Sequence, residues 1–375
     1  MTRPEYETTQ AESLAWLASA HVQAESTLHT LDTDEREGFQ RRIERLIEHC
    51  ACGEDRIAHR GASLGDIENT DWSSTDQIYD LENHPHGKGT GARTRLFARA
   101  VKKYLREEYI HESRPPADLI HVTCTGYASP SAAQHMVESR GWGAQTRITH
   151  AYHMGCYAAI PALRIARGFV LAGDVMPGAA PRVDIVHTEL CSLHLDPSTH
   201  TPEQLVVQSL FADGFIRYSV SADADGRGFD VLALSETIVP DSADAMTWVV
   251  SDWGMQMSLA RDVPARIAAP LRTFVHGLFE KAGLDPVADF SESVFAVHPG
   301  GPKIIDEVCQ LLSLSDDQVT ASRTVLFDFG NMSSATLPHI WMRILDDAAV
   351  ASGTPVLSLA FGPGLTICGS LFRKR

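Results

Sequence analysis

Thr149-His150-Ala151-Tyr152-His153-Met154-Gly155-Cys156-Tyr157-Ala158-Ala159-Ile160-Pro161-Ala162-Leu163-Arg164-Ile165-Ala166-Arg167 turns at Gly155 and continues as a largely buried helix, with Arg164 and Arg167 its only charges. Cys156 stands at the start of that helix. The first amide N–H groups and the dipole of a helix stabilise an anion. A thiol so placed is expected to titrate not near about 8.5 but somewhere in the range of roughly 3.5 to 7.5. At pH 7 an unshifted thiol is about 3% thiolate, and one titrating near 6 is about 90% thiolate. The same cysteine taken alone would serve as a small packed hydrophobe, so its partners decide its role.

The 375 residues, 44% hydrophobic with 27 glycines, can bury one large core or two fused ones. Single cores stop growing near about 250 to 300 residues, so two halves are expected, residues 1–226 with the cysteine and residues 227–375. A formal net charge of −16 argues against nonspecific affinity for nucleic acid or anionic membrane. The N-terminal stretch has no apolar signal core, and the longest apolar run, near residues 168–173, is too short to span a bilayer. A cytoplasmic protein is expected. Seven scattered cysteines (50, 52, 124, 156, 191, 309 and 368) favour reduced thiols over a disulfide framework.

Residues 10–50 alternate charged and apolar positions at helical spacing and read as a solvated helix with one buried stripe. His49-Cys50-Ala51-Cys52 lacks a second cysteine pair at a zinc-site spacing, which leaves a helix-end turn. His84-Pro85-His86-Gly87-Lys88-Gly89-Thr90-Gly91 fails as a phosphate loop, because Glu82 sits where the leading glycine is required. It reads instead as a loop capped by Thr90 into a helix from Ala92 to Glu108. From residue 117 short apolar runs alternate with helices. Leu119 to Cys124 is a strand followed by a Gly126 turn and a helix from Ser131, and Val183 to Thr188 is another strand. The texture returns after about residue 227. Ser293 to Val297 leads through His298-Pro299-Gly300-Gly301-Pro302 into a helix to Leu312. Thr324 to Phe329 reads as a strand leading through Gly330-Asn331 into a helix from Ser333 to Asp347. Pro355 to Ala360 closes on Phe361-Gly362-Pro363-Gly364-Leu365. Strand, glycine turn and helix in both halves indicate a duplicated α/β core.

Three such junctions each present one reactive side chain: Cys156, His298 and Asn331. In α/β sheets ligands gather at strand ends, where residues distant in sequence converge. A cysteine with a histidine and an asparagine is a candidate nucleophile, base and orienting group, although with 17 histidines a structural role for His298 also fits.

The residues around these three carry a resemblance. His298-Pro299-Gly300-Gly301-Pro302-Lys303-Ile304-Ile305, Asp328-Phe329-Gly330-Asn331-Met332-Ser333-Ser334-Ala335 and Phe361-Gly362-Pro363-Gly364-Leu365 are similar to the C-terminal signatures of the chalcone synthase family, the type III polyketide synthases. Met154-Gly155-Cys156-Tyr157-Ala158 resembles that family's nucleophile elbow. Asp262-Val263-Pro264 and Gln208 to Gly214 extend the match, which runs from about residue 38. The resemblance implies a thiolase-like αβαβα layered fold of two similar halves and a homodimer. It also implies an acyltransferase (EC 2.3.1) that transfers an acyl group to Cys156 and forms a carbon–carbon bond with the help of His298 and Asn331. No cofactor or metal is expected.

The departures from the family pattern are informative. Two phenylalanines that assist malonyl decarboxylation in chalcone-type enzymes are matched by His194 and Met257. Ser129 falls on the loop residue inserted into the partner subunit's cavity, Cys124 on a cavity-lining position, and Phe361 and Gly362 on the substrate wall. Arg41 and Arg45 stand near the entrance for a coenzyme A or acyl carrier protein thioester. Arg42, Lys102 and Lys103 could add to a basic patch there, or all five could be solvated helix faces. The pattern is similar to the stand-alone myxobacterial ketosynthases that join two β-ketoacyl chains into the α-pyrone of myxopyronin- and corallopyronin-type antibiotics. In that chemistry an α-proton must be removed, with His298 the expected base and Glu189 and His194 as outside candidates. Cys191 and Cys309 read as packing. The alternatives are an iterative synthase using malonyl extenders, a priming ketosynthase of fatty-acid synthesis, and a non-catalytic partner subunit.

Overall fold

The computed structural model describes residues 3–222 and 226–375. The N-terminal part runs β1 (Tyr6–Thr9), α1 (Gln10–His29), α2 (Thr33–Cys50), β2 (His59–Ala62), α3 (Thr90–Glu108), β3 (Pro116–Thr123), α4 (Ala132–Ser139), β4 (Arg147–Tyr152), α5 (Ala159–Ala172), β5 (Ala180–Glu189), α6 (Pro202–Leu210) and β6 (Gly214–Ser221). The C-terminal part runs β7 (Phe229–Ile238), β8 (Met246–Ser251), β9 (Gly254–Leu259), α7 (Val263–Ala282), α8 (Ala288–Glu292), β10 (Val294–Val297), α9 (Pro302–Leu312), α10 (Asp316–Phe329), α11 (Thr336–Asp346), β11 (Pro355–Gly362) and β12 (Thr366–Lys374).

Two four-stranded sheets form the frame, ordered β4-β3-β5-β6 and β10-β11-β12-β7. In the first, β3 pairs in parallel with both β4 and β5, while β6 closes the sheet antiparallel to β5. All eight residues of β3 and all eight of β11 are buried, because helices cover both faces of each sheet. Alternate residues of one strand therefore serve two cores. Leu119 and Val186 face α3 and α4 with Phe97, Val101 and Met136, whereas Ile120 and Ile185 face α5 with Ala158, Ala162 and Ala166.

Helices α5 and α11 make the central layer. Ile160 and Leu163 of α5 and Ile340 and Ile344 of α11 pack with Ile216 of the first sheet and Val356 and Ala360 of the second. Each such fully buried aliphatic side chain contributes about 1.5 to 3 kcal/mol of transfer free energy. On the outer face of the second sheet, Ile267, Leu271 and Val275 of α7 and Ile305 of α9 cover Leu357, Leu359, Ile367 and Leu371. The order is helix, sheet, helix, sheet, helix, the αβαβα layering anticipated above.

Three local expectations need correction. Residues 10–50 are two helices, because Thr30 adopts the left-handed conformation (φ 49°) and Asp32 then caps α2 with a reciprocal bond to Glu35. Thr90 is the first residue of α3 rather than its cap. Gly89 takes the cap position, and the Thr90 hydroxyl donates to Ser251 O at 2.5 Å. Thr324 to Phe329 is the last stretch of α10, not a strand. Ser315 and Gln318 close a capping box at the start of α10, and Val319, Ser322, Val325 and Leu326 put its buried face on β10.

No helix is long and apolar enough to cross a membrane. Cys50 ends α2, and among the described residues no group of three His, Cys, Asp or Glu side chains is placed to hold a metal ion.

Candidate active site

Cys156 is delivered by the turn between β4 and α5. His153 (φ 61°) and Gly155 (φ 81°) reverse the chain, and a Cβ on Gly155 would come within 2.9 Å of Pro363 Cδ. The close approach couples the nucleophile turn to the 361–365 loop. The helix itself begins at Ala159, so Cys156 precedes its first turn. The sulfur is 8% exposed, and burial pushes the thiol up to about 12, with the Ser333 hydroxyl at 3.8 Å offsetting part of the rise. The expected lowering at a helix terminus is thus overturned: desolvation of the thiolate outweighs the helix end.

His298 leaves the end of β10, its N–H donating to Leu359 O at 2.8 Å, and Gly300 N–H donates back to His298 O at 3.0 Å. The ring is 1% exposed, and neither nitrogen has a hydrogen-bond partner. Burial pulls the imidazole down to about 3, so the resting pair is a neutral thiol with a neutral imidazole.

Asn331 follows a helix rather than a strand. Its backbone bridges to the end of α6, donating to Leu210 O at 2.9 Å and accepting from Ala212 N–H at 2.9 Å. Its Oδ1 accepts the Ser333 N–H at 2.9 Å, which leaves Nδ2 as an unpartnered buried donor. Two contacts join the candidates. Ser333 bridges Asn331 to Cys156, and Leu210, which receives the Asn331 N–H, also lies 3.4 Å from where a Cβ on Gly301 would sit in the His298 loop.

A cavity with about 690 Å³ of empty space opens over Cys156. Cys124, His194 and Met257 line it as the resemblance implies, and Cys191, read above as packing, lines it too. Cys309 lies on α9, half-buried. Ser129 is exposed, and Phe361 and Gly362 are buried without reaching the cavity wall. Arg41, Arg42 and Arg45 lie on the exposed face of α2, with Arg41 paired to Glu37 at 3.4 Å and Arg42 stacked over Phe39. Lys102 and Lys103 are exposed on α3, and Lys103 pairs with Glu5 at 2.7 Å.

Neither outside base candidate presents a free atom. His194 Nε2–H donates to Thr125 O at 2.7 Å while Nδ1 accepts Met255 N–H at 3.1 Å, and burial draws the ring down to about 3. Glu189 is wholly buried behind Cys124. Its Oε2 accepts Cys124 N–H at 3.0 Å and the Thr125 hydroxyl at 2.8 Å, and its Oε1 accepts the Ser334 hydroxyl. Burial raises this carboxyl above its ordinary range.

Sequence reasoning missed the far wall. The hairpin β8–β9 places Met246, Trp248, Met255 and Met257 around the cavity, with Trp248 opposite Met257 in register. Trp248 Nε1–H donates to Cys124 O at 2.7 Å, and Gln204 Nε2–H from α6 donates to Met257 O at 2.7 Å. The signal was present as alternating Met and Trp on either side of Gly254, a period of two across a turn.

Comparison with known proteins matches this arrangement. The N-terminal domain model of chalcone and stilbene synthases matches residues 92–224, and the C-terminal domain model matches residues 230–374. A bisdemethoxycurcumin synthase from Oryza sativa subsp. japonica is 33% identical over 285 residues, covering 72% of this chain and 69% of the relative. A 1,3,6,8-tetrahydroxynaphthalene synthase from Streptomyces griseus is 28% identical over 308 residues, 80% of each. Among solved structures, the 1,3,6,8-tetrahydroxynaphthalene synthase of Streptomyces coelicolor A3(2) superposes with a TM-score of 0.77 at 25% identity, covering 100% of this chain and 97% of that one. PKS-I from the brown alga Ectocarpus siliculosus gives 0.80 at 22% identity, covering 100% and 96%. The fold is therefore thiolase-like, built of two similar halves. With both halves matched in order, the chain belongs to the chalcone and stilbene synthase family, the type III polyketide synthases.

Proposed function

We propose that the protein is an acyltransferase of the ketosynthase type that loads a β-ketoacyl thioester on Cys156, condenses it with a second β-ketoacyl thioester and closes the product to an α-pyrone. The observation that carries the reading is the set of unpartnered buried polar atoms, both His298 nitrogens and Asn331 Nδ2, beside a buried thiol. Buried polar groups are normally satisfied, and here a substrate would satisfy them.

Because the resting pair is neutral, proton transfer from Cys156 to His298 accompanies attack on the first thioester, and the proton then leaves with the departing thiol. His298 is neutral again when the second chain arrives. It removes the α-proton, and Asn331 Nδ2–H donates to the developing enolate oxygen. The carbanion attacks the Cys156 thioester, and the expelled sulfur regains its proton from His298. Enol oxygen attack on the remaining thioester closes a six-membered lactone and releases the second thiol. The replacement of two phenylalanines by His194 and Met257 supports an extender that needs no decarboxylation. Coenzyme A or acyl carrier protein thioesters, a homodimer in which Ser129 reaches the partner's cavity, and a division at residues 226/227 belong to the same proposal. Strand β4 is the free edge of its sheet.

A second reading, an iterative synthase fed by malonyl thioesters, is favoured by the similarity to bisdemethoxycurcumin and tetrahydroxynaphthalene synthases. Intact-protein mass spectrometry with β-ketoacyl thioesters and no malonyl donor separates the two. A Cys156-dependent adduct followed by a pyrone carrying both chains supports chain joining. An adduct whose product appears only when malonyl thioester is added sinks it and supports the iterative reading.

A further inference from the structure

Behind the active cavity lies a second one, with about 400 Å³ of empty space, that the proposed chemistry does not use. The two cavities share Leu195, Gln208 and Phe211 as a common wall. Beyond that wall Trp16, Leu17 and Ile67 supply an apolar lining.

Two side chains there are unsatisfied. Gln208 is 3% exposed, and its Nε2–H donates to Asp196 O at 3.1 Å, but its Oε1 has no partner. Arg60 is 8% exposed, and its Nη1 donates to Gln208 O at 2.8 Å and Phe211 O at 3.1 Å, while its Nε–H is unpartnered. Among the described residues no carboxylate pairs with Arg60, and burial draws its guanidinium down to about 10. By contrast Thr8 and Ser13 in the same cavity bond each other at 2.6 Å. A buried donor and a buried acceptor in one apolar space call for a group that can accept and donate at once. A carboxylate satisfies only Arg60 and meets Gln208 Oε1 with like charge, whereas a hydroxyl satisfies both.

We infer that this cavity is a second chamber of the substrate site, entered by rotation of Gln208 or Phe211, which takes the far end of an acyl chain bearing a hydroxyl group. The hydroxyl oxygen accepts from Arg60 Nε–H, and its proton goes to Gln208 Oε1. The inference rests on the proposed acylation of Cys156 and names the class of chain it selects.

The test uses the Cys156→Ala variant, which holds thioesters without reacting. N-acetylcysteamine thioesters from butanoyl to tetradecanoyl, ending in hydrogen, hydroxyl or bromine, are the probes. A terminal bromine quenches tryptophan on contact, so a chain of sufficient length should quench Trp16, and the added Trp16→Phe substitution should remove that share. The hydroxyl-ended chain should bind about tenfold or more tighter than its hydrogen-ended counterpart, with the preference lost in Gln208→Leu. Ala62→Leu, which fills the chamber, should lower the long-to-short affinity ratio about tenfold. Absence of Trp16-dependent quenching at every chain length, with the ratio unmoved by Ala62→Leu, overturns the inference. Cys156 acylation in the wild-type protein is read separately by mass. An adduct without these effects rejects the chamber alone, and failure of every thioester to form an adduct rejects the proposed function.

Discussion

The hydroxyl of Ser333 stands 3.8 Å from the Cys156 sulfur. It also lies 3.1 Å from the Cys124 sulfur, so one side chain serves two thiols of the cavity. The contact favours the Cys156 thiolate against the much larger effect of burial. Ser333→Ala should therefore shift Cys156 alkylation by iodoacetamide to higher pH and slow it roughly fivefold at fixed pH, as expected for about 1 kcal/mol of hydrogen bonding. Superimposable pH profiles for the variant and the parent protein would show the contact to be idle.

Asn331→Asp keeps the acceptor that holds Ser333 N–H and replaces the unpartnered Nδ2 donor with an oxygen. Condensation should fall about 100- to 1000-fold, the usual loss for one oxyanion donor, while acylation of Cys156 persists. Rapid-quench mass spectrometry separates the two steps. Equal loss of both assigns Asn331 to folding of the site rather than to the enolate.

Burial lowers five histidines, His21, His121, His187, His194 and His298, from the ordinary 6.5 to about 3. Above pH 6.5 both folded and unfolded chains carry them neutral. Between 6.5 and about 3 only the unfolded chain takes up protons, so stability is lost as pH falls through that window. Each group contributes up to about 1.4 kcal/mol per pH unit. Asp213, raised to about 6 by burial, opposes this as a single group whose contribution is lost as pH rises from 3.8 through 6. The urea midpoint should therefore drop clearly between pH 7.5 and pH 5.5. A flat midpoint would mean that these rings protonate in place.

Gly362 has no room for a side chain, since a Cβ there would lie 2.3 Å from Tyr157 Cδ1. Gly362→Ala must displace the ring next to Cys156. It should cost about 1 to 3 kcal/mol of stability and slow acylation more than overall binding. Thermal unfolding together with the acylation rate checks both parts, and an unchanged acylation rate would uncouple the 361–365 loop from the nucleophile turn.

The core of the architecture was legible where glycine turns separate apolar runs, as from Ser293 through Gly301 to Leu312. It failed at Thr324 to Phe329, where valine, leucine and two phenylalanines mimic a buried strand. The competing signal was the wider helical spacing of Val319, Ser322, Val325 and Leu326, with Phe327 41% exposed. Cys156, His298 and Asn331 could be picked out by residue type and spacing, but the charge state of the first two could not, because burial comes from elements far away in sequence. Trp248 and Gln208 were missed because neither sits in a motif, and their positions depend on tertiary packing alone.

The hairpin β8–β9 belongs to neither large sheet. It is tied on by a few polar contacts such as Gln204 to Met257 O and Glu203 to Leu259 N–H, yet it supplies much of the cavity's far wall. Amino-acid changes on its inward face alter the space offered to a substrate without disturbing the layers that hold Cys156, His298 and Asn331. Reaction chemistry and substrate shape are thus encoded in separable parts of the chain, and descendants of this protein can explore new acyl chains while the reacting groups stay fixed.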